Sequence, residues 1–383
     1  MTEWFGFSLR TNAYAGAGVA LKAASFAQER DARRVSIVID AGLRGNEHAT
    51  KLLDALREIA EVQLLESDAV EPDYDYLDEF RTRLDPSADL LVAVGGGSIL
   101  DLTKAVSVLV TNPKPAIEYR GFDLVTEPGI PVVAIPTTAG TGSEVTPNAV
   151  FTDRRENRKG GINTEKYLPV LALLDPLLTL SCPREATVSA GMDALVHSVE
   201  SFVAAGATPI SRPLAREGFR LVMGNLGRVV EDPGDIDGRL NMQLGAFFAA
   251  SSLFNSGAGP AGALSYPIGV NYKVPHGIAG AIFLGPVAAW NVSRGSDAYK
   301  ELADALPEPP QTADPLERSR AVADAIQELA ERVGVPSLAD YGVSGADVPA
   351  LVEQAFNSLG PAFAQNPVEV TSNGLHELMD SLV

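Results

Sequence analysis

Cysteine is almost missing from these 383 residues: only Cys182 is present. One thiol excludes an internal disulfide and any metal cluster built on several cysteines, and a free cysteine most often serves as a small buried hydrophobe. Basic residues are also scarce, 30 Lys and Arg against 49 Asp and Glu, for a formal charge of −19. So acidic a chain repels phosphate backbones, which argues against a nucleic-acid partner. No apolar run reaches the length of about 18 residues that a membrane span needs. The N-terminal Met-Thr-Glu-Trp-Phe-Gly-Phe lacks a basic stretch ahead of an apolar block, so it does not read as a signal peptide. A cytoplasmic protein with no membrane partner is the expectation. What is left, 46% apolar and 21% charged residues, is ordinary globular composition. The length suits two domains or one large one, with a core that needs no staples.

The first half alternates two signals. Residues 35–39, 90–94 and 131–135 are short apolar runs with little alternation, as in strands buried on both faces of a parallel sheet. Helical patterns lie between them, over residues 49–60 and 75–84. Strand–helix–strand repetition implies crossover helices, and ligands of such sheets bind beyond the carboxyl ends of the strands. From about residue 184 the pattern is helical: Val188, Met192, Leu195, Val199 and Phe202 recur at three and four. Further helices are expected over about 213–229, 238–254, 314–333 and 346–359. The expected organisation is an α/β N-terminal domain over residues 1–182 that binds a dinucleotide, and an all-helical C-terminal domain over 183–383 that holds metal and substrate.

Five segments have the residue types that chemistry needs. Gly95, Gly96, Gly97 and Ser98 stand between a buried strand and the helical run 99–109. Glycines admit close backbone approach, and the helix start offers free N–H groups, so the segment suits a pyrophosphate more than a plain turn. Asp40 ends the first clear strand; it either meets a ribose 2′-hydroxyl, which favours NAD over NADP, or forms the turn before Ala41-Gly42. The stretch from Pro136 through Thr137, Thr138 and Thr141 to Thr146 either wraps a polar cofactor or caps a following helix. Asp193 and His197 stand at i and i+4 on one helix face, as a shared metal site or a local hydrogen bond. His276, between a loop and the apolar run 278–284, is a third metal ligand or a capping residue.

Together these segments resemble the iron-containing (group III) alcohol dehydrogenase family, whose fold is shared with glycerol dehydrogenase and dehydroquinate synthase. The matching pieces are Gly95 to Ser98 with Asp101 and Lys104, the run Pro136 to Thr146, Gly191 to His197, and Tyr266-Pro267-Ile268-Gly269 through Pro275-His276-Gly277. They span about residues 35–284 in family order. The resemblance implies a Rossmann-like parallel sheet followed by a helical domain, the dehydroquinate synthase-like architecture. It assigns Gly95 to Ser98 and Asp101 to the cofactor-binding segment, Thr137, Thr138 and Thr141 to its adenosine and ribose portions, Asp40 to the 2′-hydroxyl, and Lys159 to cofactor contact. Asp193, His197 and His276 match three of four metal ligands, and a homodimer is usual.

One departure stands out. Where the family has His-Ala-Leu, a small residue and then His-Pro, this chain has Gly262-Ala263-Leu264-Ser265-Tyr266-Pro267. Gly262 cannot coordinate through a side chain. Three donors plus water still hold Fe(II) or Zn(II), another donor closes the site, or the site works without metal. The expected activity is hydride transfer between a nicotinamide cofactor and a small alcohol or aldehyde, with NAD preferred. Tyr266 is the candidate proton donor, against a packing role beside Pro267. Lys273 is the candidate contact for a phosphonate-, phosphate- or carboxylate-bearing aldehyde, against a solvated loop lysine. The rival readings are a dehydroquinate synthase-like lyase or cyclase and a non-catalytic dinucleotide-binding relative.

Overall fold

The computed structural model describes residues 4–69, 71–156 and 158–383. The chain divides into two compact units, one of residues 9–182 and one of residues 183–383 together with residues 4–8. The N-terminal stretch therefore goes with the helical unit, where the Ser8 N–H donates to Asn255 Oδ1 at 2.7 Å.

In the first unit β1 (Asn12–Ala15), α1 (Lys22–Glu29), β2 (Arg34–Asp40), α2 (Glu47–Arg57), β3 (Glu61–Ser67), α3 (Tyr74–Arg83), β4 (Leu90–Gly95), α4 (Gly97–Leu109), β5 (Gly121–Phe122), β6 (Val132–Pro136), β7 (Asn148–Asp153), β8 (Arg158–Asn163) and β9 (Leu171–Leu174) follow in order. Six strands form one parallel sheet in the order β1-β9-β6-β4-β2-β3. Its strands read as unbroken apolar runs because both faces are covered. Leu90, Val92 and Val94 of β4 join one core with Leu52 and Leu56 of α2, while Leu91 and Ala93 join the other with Leu77 and Phe80 of α3. Local signals place the helix ends: Asn46 accepts from the N–H groups of His48 and Ala49 to start α2, and Asp73 accepts from Tyr76 to start α3. A second sheet, β5-β8-β7, was not foreseen. Nor does the Thr-rich stretch cap a helix; it runs into β7, held there by Asp101, whose Oδ2 accepts from the Val150 N–H at 2.8 Å.

The second unit contains α5 (Arg184–Val203), α6 (Ser211–Glu231), α7 (Ile236–Ser256), α8 (Pro260–Tyr272), α9 (His276–Ser293), α10 (Pro315–Val333), α11 (Val348–Phe363) and α12 (Ser372–Asp380). Among the described residues no helix is long and apolar enough to cross a membrane. α8 forms despite two glycines and an internal Pro267. Proline at its first position needs no N–H partner, and a buried carboxylate takes up the donors beside it: Glu200 accepts from the backbone of Gly259, Ala261 and Gly262.

Candidate active site

The cofactor segments, distant in sequence, become neighbours through strand register. Ile39 pairs with Val94, and Gly95 with Pro136. Asp40, Gly95 and Pro136 therefore stand in one row at the carboxyl edge of the sheet. The row lies where β2 connects outward to β3 while β4 leads the other way to β6, the switch point at which such sheets take ligands. The glycines are required by space: none of Gly95, Gly96 and Gly97 has a left-handed backbone. A Cβ on Gly97 would lie 2.6 Å from Thr141 Cγ2, and one on Gly96 would lie 3.3 Å from Thr138 Cγ2. The glycine turn and the threonine loop thus pack face to face. The first-turn N–H groups of α4 stand at their edge, where a helix attracts anions.

A buried charge fixes the threonine loop. Lys104 is fully buried and donates to the carbonyls of Ser143 at 3.0 Å, Thr146 at 3.2 Å and Asn148, with Asp101 Oδ1 at 3.2 Å. Burial pulls this lysine below the ordinary range, and the Asp101 charge works against that pull. Burial pushes the neighbouring Glu144 up to about 7, opposed by its backbone hydrogen bond and Lys104. Asp101 also accepts from the Ser143 hydroxyl, so its carboxylate is spent on the loop and positions it. Asp40 caps the turn after β2, accepting from the Gly42 N–H at 2.8 Å through Oδ1. Thr137 is buried, its N–H bonded to the Gly95 carbonyl at 3.0 Å. Lys159 pairs with Glu71 at 2.6 Å, and the Glu71 N–H donates to Ser98 Oγ at 3.2 Å. Glu71 escaped the sequence reading because an isolated acid in a loop has no pattern.

In the helical unit α5, α8 and α9 carry the second group. Asp193 Oδ1 lies 3.5 Å from His197 Nε2 and 3.8 Å from His276 Nε2. Gly277 makes this possible: a Cβ there would stand 1.9 Å from the Ser189 carbonyl oxygen of α5. His276 is thereby brought beside Asp193 from 83 positions away in sequence. Tyr266 is half-buried, its ring edge-on to His276 with centroids 5.2 Å apart. Gly262 sits in the first turn of α8, where a Cβ would lie 2.9 Å from Glu200 Oε2. Burial pushes Glu200 up to about 7, against the pull of three backbone N–H groups. Lys273 is exposed and ends α8 in a left-handed conformation with φ 56°. Glu200 and Ser265 were not foreseen, since each occupies a helix position that an apolar residue fills equally well.

Residues 11–176 match the model of iron-containing alcohol dehydrogenases, and residues 187–383 match that of the C-terminal domain of the same family. The chain belongs to the iron-containing alcohol dehydrogenase family. A 1,3-propanediol dehydrogenase of Citrobacter freundii is 33% identical over 88% of this chain and 87% of that one. The lactaldehyde reductase of Escherichia coli is 33% identical over 76% of each. The crystal structure of sulfoacetaldehyde reductase from Bifidobacterium kashiwanohense in complex with NAD+ superposes with a TM-score of 0.89, at 26% identity and 99% coverage of both chains. As an alcohol dehydrogenase of this family the protein is an oxidoreductase acting on alcohols and aldehydes, and the family implies a nicotinamide cofactor and a divalent metal.

The residues fit the two groups unequally. The row of strand ends, the packed glycine turn and the helix start suit a dinucleotide. For the metal, one carboxylate and two imidazoles are donors of the right kind. They are not gathered closely enough: among the described residues no three His, Cys, Asp or Glu side chains form a group that holds an ion as they stand. Nor does Gly262 add a fourth donor, and the Glu200 carboxylate beside it is committed to backbone N–H groups.

Proposed function

We propose that the chain is an NAD-dependent reductase of two- or three-carbon aldehydes bearing a second polar group, and a dehydrogenase of the corresponding alcohols. The row formed by Asp40, Gly95 and Pro136 carries this reading, because it turns three unremarkable turns into one dinucleotide cradle. The backbone of Gly96, Gly97 and Ser98 at the start of α4 receives the pyrophosphate. Thr137, Thr138 and Thr141 line the ribose and adenosine side. Asp40 accepts from a ribose 2′-hydroxyl through its second oxygen and repels a 2′-phosphate, which favours NAD. Lys159 exchanges Glu71 for a cofactor phosphate or hydroxyl.

When bound, the nicotinamide supplies the hydride. Asp193, His197 and His276, drawn closer together, would be the ligands of a divalent ion, Fe(II) or Zn(II), which would supply Lewis acidity at the substrate oxygen. Tyr266, beside His276, delivers the proton that turns the alkoxide oxygen into the alcohol. The relatives named above handle propanediol, lactaldehyde and sulfoacetaldehyde, small molecules with a second oxygen or an anionic group. Lys273 is the cation that meets an anionic member of that class. β1, a sheet edge exposed along all its four residues, is the surface for a homodimer, to be read by sedimentation.

The test is NADH oxidation by metal-stripped protein, with and without Fe(II) or Zn(II), over neutral and anionic short aldehydes. Turnover that returns only with metal is expected; equal turnover without metal removes the three ligands from the reading. In the same assay Tyr266→Phe lowers turnover about 10²-fold with NADH affinity unchanged. A loss below about twofold makes Tyr266 a packing residue. Lys273→Met raises KM for anionic aldehydes alone; unchanged KM values return Lys273 to the solvent.

A further inference from the structure

The cofactor edge of the sheet unit is already occupied by a residue of the chain itself. Lys159 belongs to β8, its side chain is only 7% exposed, and its Nζ lies 2.6 Å from Glu71 Oε1. The Glu71 N–H donates to Ser98 Oγ at 3.2 Å, in the first turn of α4. One residue thus holds both the cation and the hydroxyl that the cofactor reading assigns to the dinucleotide. The capping residue of α4, Gly96, has no side chain to offer, and the first turn holds no acid, so this helix start favours an anion from outside. Glu71 is kept in place by the residues that follow it. The Thr152 N–H donates to the Pro72 carbonyl at 3.1 Å, Asp73 bridges to Thr152, and Thr152 stands opposite Lys159 in the β7–β8 pair. The Tyr74 hydroxyl donates to the Gly160 carbonyl at 2.9 Å. The chain after Glu71 is therefore tied to the two strands that carry Lys159. Glu71 itself is left-handed, with φ 54°, a conformation that a residue with a Cβ keeps only when its surroundings impose it. Its side chain is 39% exposed, so the carboxylate can leave the pair for water without crossing packed core.

We propose that Glu71 is a built-in competitor of the cofactor: its carboxylate holds the cation that the dinucleotide needs, so binding displaces Glu71 and release returns it. This rests on the dinucleotide cradle proposed above. The pyrophosphate is anionic, and a carboxylate left on Lys159 beside the start of α4 both blocks the cation and repels the newcomer. A protein whose competent state is a fraction of the population binds its ligand more weakly by that fraction, and removing the competing contact restores the difference. A hydrogen-bonded pair with a mostly buried lysine is stronger than an ordinary surface ion pair. About tenfold in cofactor affinity is the size expected.

The test is NADH binding to the full chain, read by fluorescence in the absence of substrate. Glu71→Gln, which keeps the length of the side chain and loses its charge, is expected to tighten NADH about tenfold. In a Lys159→Met background the same change is expected to shift affinity less than about twofold, because the cation competed for is gone. Damage to the loop would loosen binding, so a gain in affinity reads the competition and not a structural loss. Unchanged or weaker NADH affinity in Glu71→Gln overturns the proposal and makes Glu71 a support that orients Lys159, while the cradle stands. A gain as large in the Lys159→Met background overturns it too, since repulsion alone then accounts for the effect. If neither wild type nor variants bind NADH, the dinucleotide reading itself fails and the competitor role falls with it.

Discussion

The two units build their sites by different means. In the sheet unit, position comes from the backbone. Strand register lines up Asp40, Gly95 and Pro136, and the glycines are there so that two loops touch. In the helical unit each participant is a separate side chain, and the four come from three helices: Asp193 and His197 on α5, Tyr266 on α8, His276 on α9. A site made of backbone survives substitution of its side chains if the space is respected. A site made of side chains changes character with one replacement. Gly262 and Tyr266, the positions read from the sequence as departures from the family pattern, both lie on α8 of the helical unit.

Three changes break or sharpen the contrast. The largest effect is expected from Gly277→Ala. Its methyl group would meet the Ser189 carbonyl, a backbone atom that cannot rotate away. The strain costs about 3 kcal/mol in urea unfolding, and Zn(II) binding falls because α9 is pushed off α5. A loss under about 0.5 kcal/mol shows that the helices separate freely, and that the His276–Asp193 approach is not set by this contact. Next comes Gly97→Ala, which meets the Thr141 side chain. NADH binding by fluorescence weakens about tenfold, a matter of about 1.4 kcal/mol. Adding Thr141→Ala recovers most of it if packing between the loops is the cause; a double variant as weak as the single one means that the cofactor itself needs the empty space.

The smallest effect concerns pH. Glu144 is raised by burial to about 7 from an ordinary 4.5, so the folded chain binds its proton more tightly than the unfolded one. Its stabilising contribution is full below pH 4.5 and is lost as pH rises through 7. Relative to wild type, Glu144→Gln therefore unfolds at a midpoint that declines less between these limits. Parallel curves of midpoint against pH would place the Glu144 carboxyl in a more polar setting than its burial implies.

Much of this was legible from residues alone, and the reason differs by region. The strands at 35–39 and 90–94 were plain because burial on both faces leaves unbroken apolar runs, and α5 was plain because its stripe keeps helical spacing. The helix α8 was not, since glycines and Pro267 are poor local signals; it depends on Glu200, reached from another helix. The Thr-rich loop was read as a wrap or a cap, and its entry into β7 follows from Asp101 and Lys104, whose partners lie some forty positions on. The expected metal ligands Asp193, His197 and His276 could be named from the sequence, but not the distances between them.

Lys104 has one more implication. Its ammonium group sits among three carbonyl oxygens and a carboxylate, an all-oxygen shell of the sort that proteins otherwise build around calcium. Here the cation is covalently part of the chain. Chelators, dialysis and the mineral content of the surroundings have no hold on it, and the loop that it gathers is ready from the moment the sheet closes.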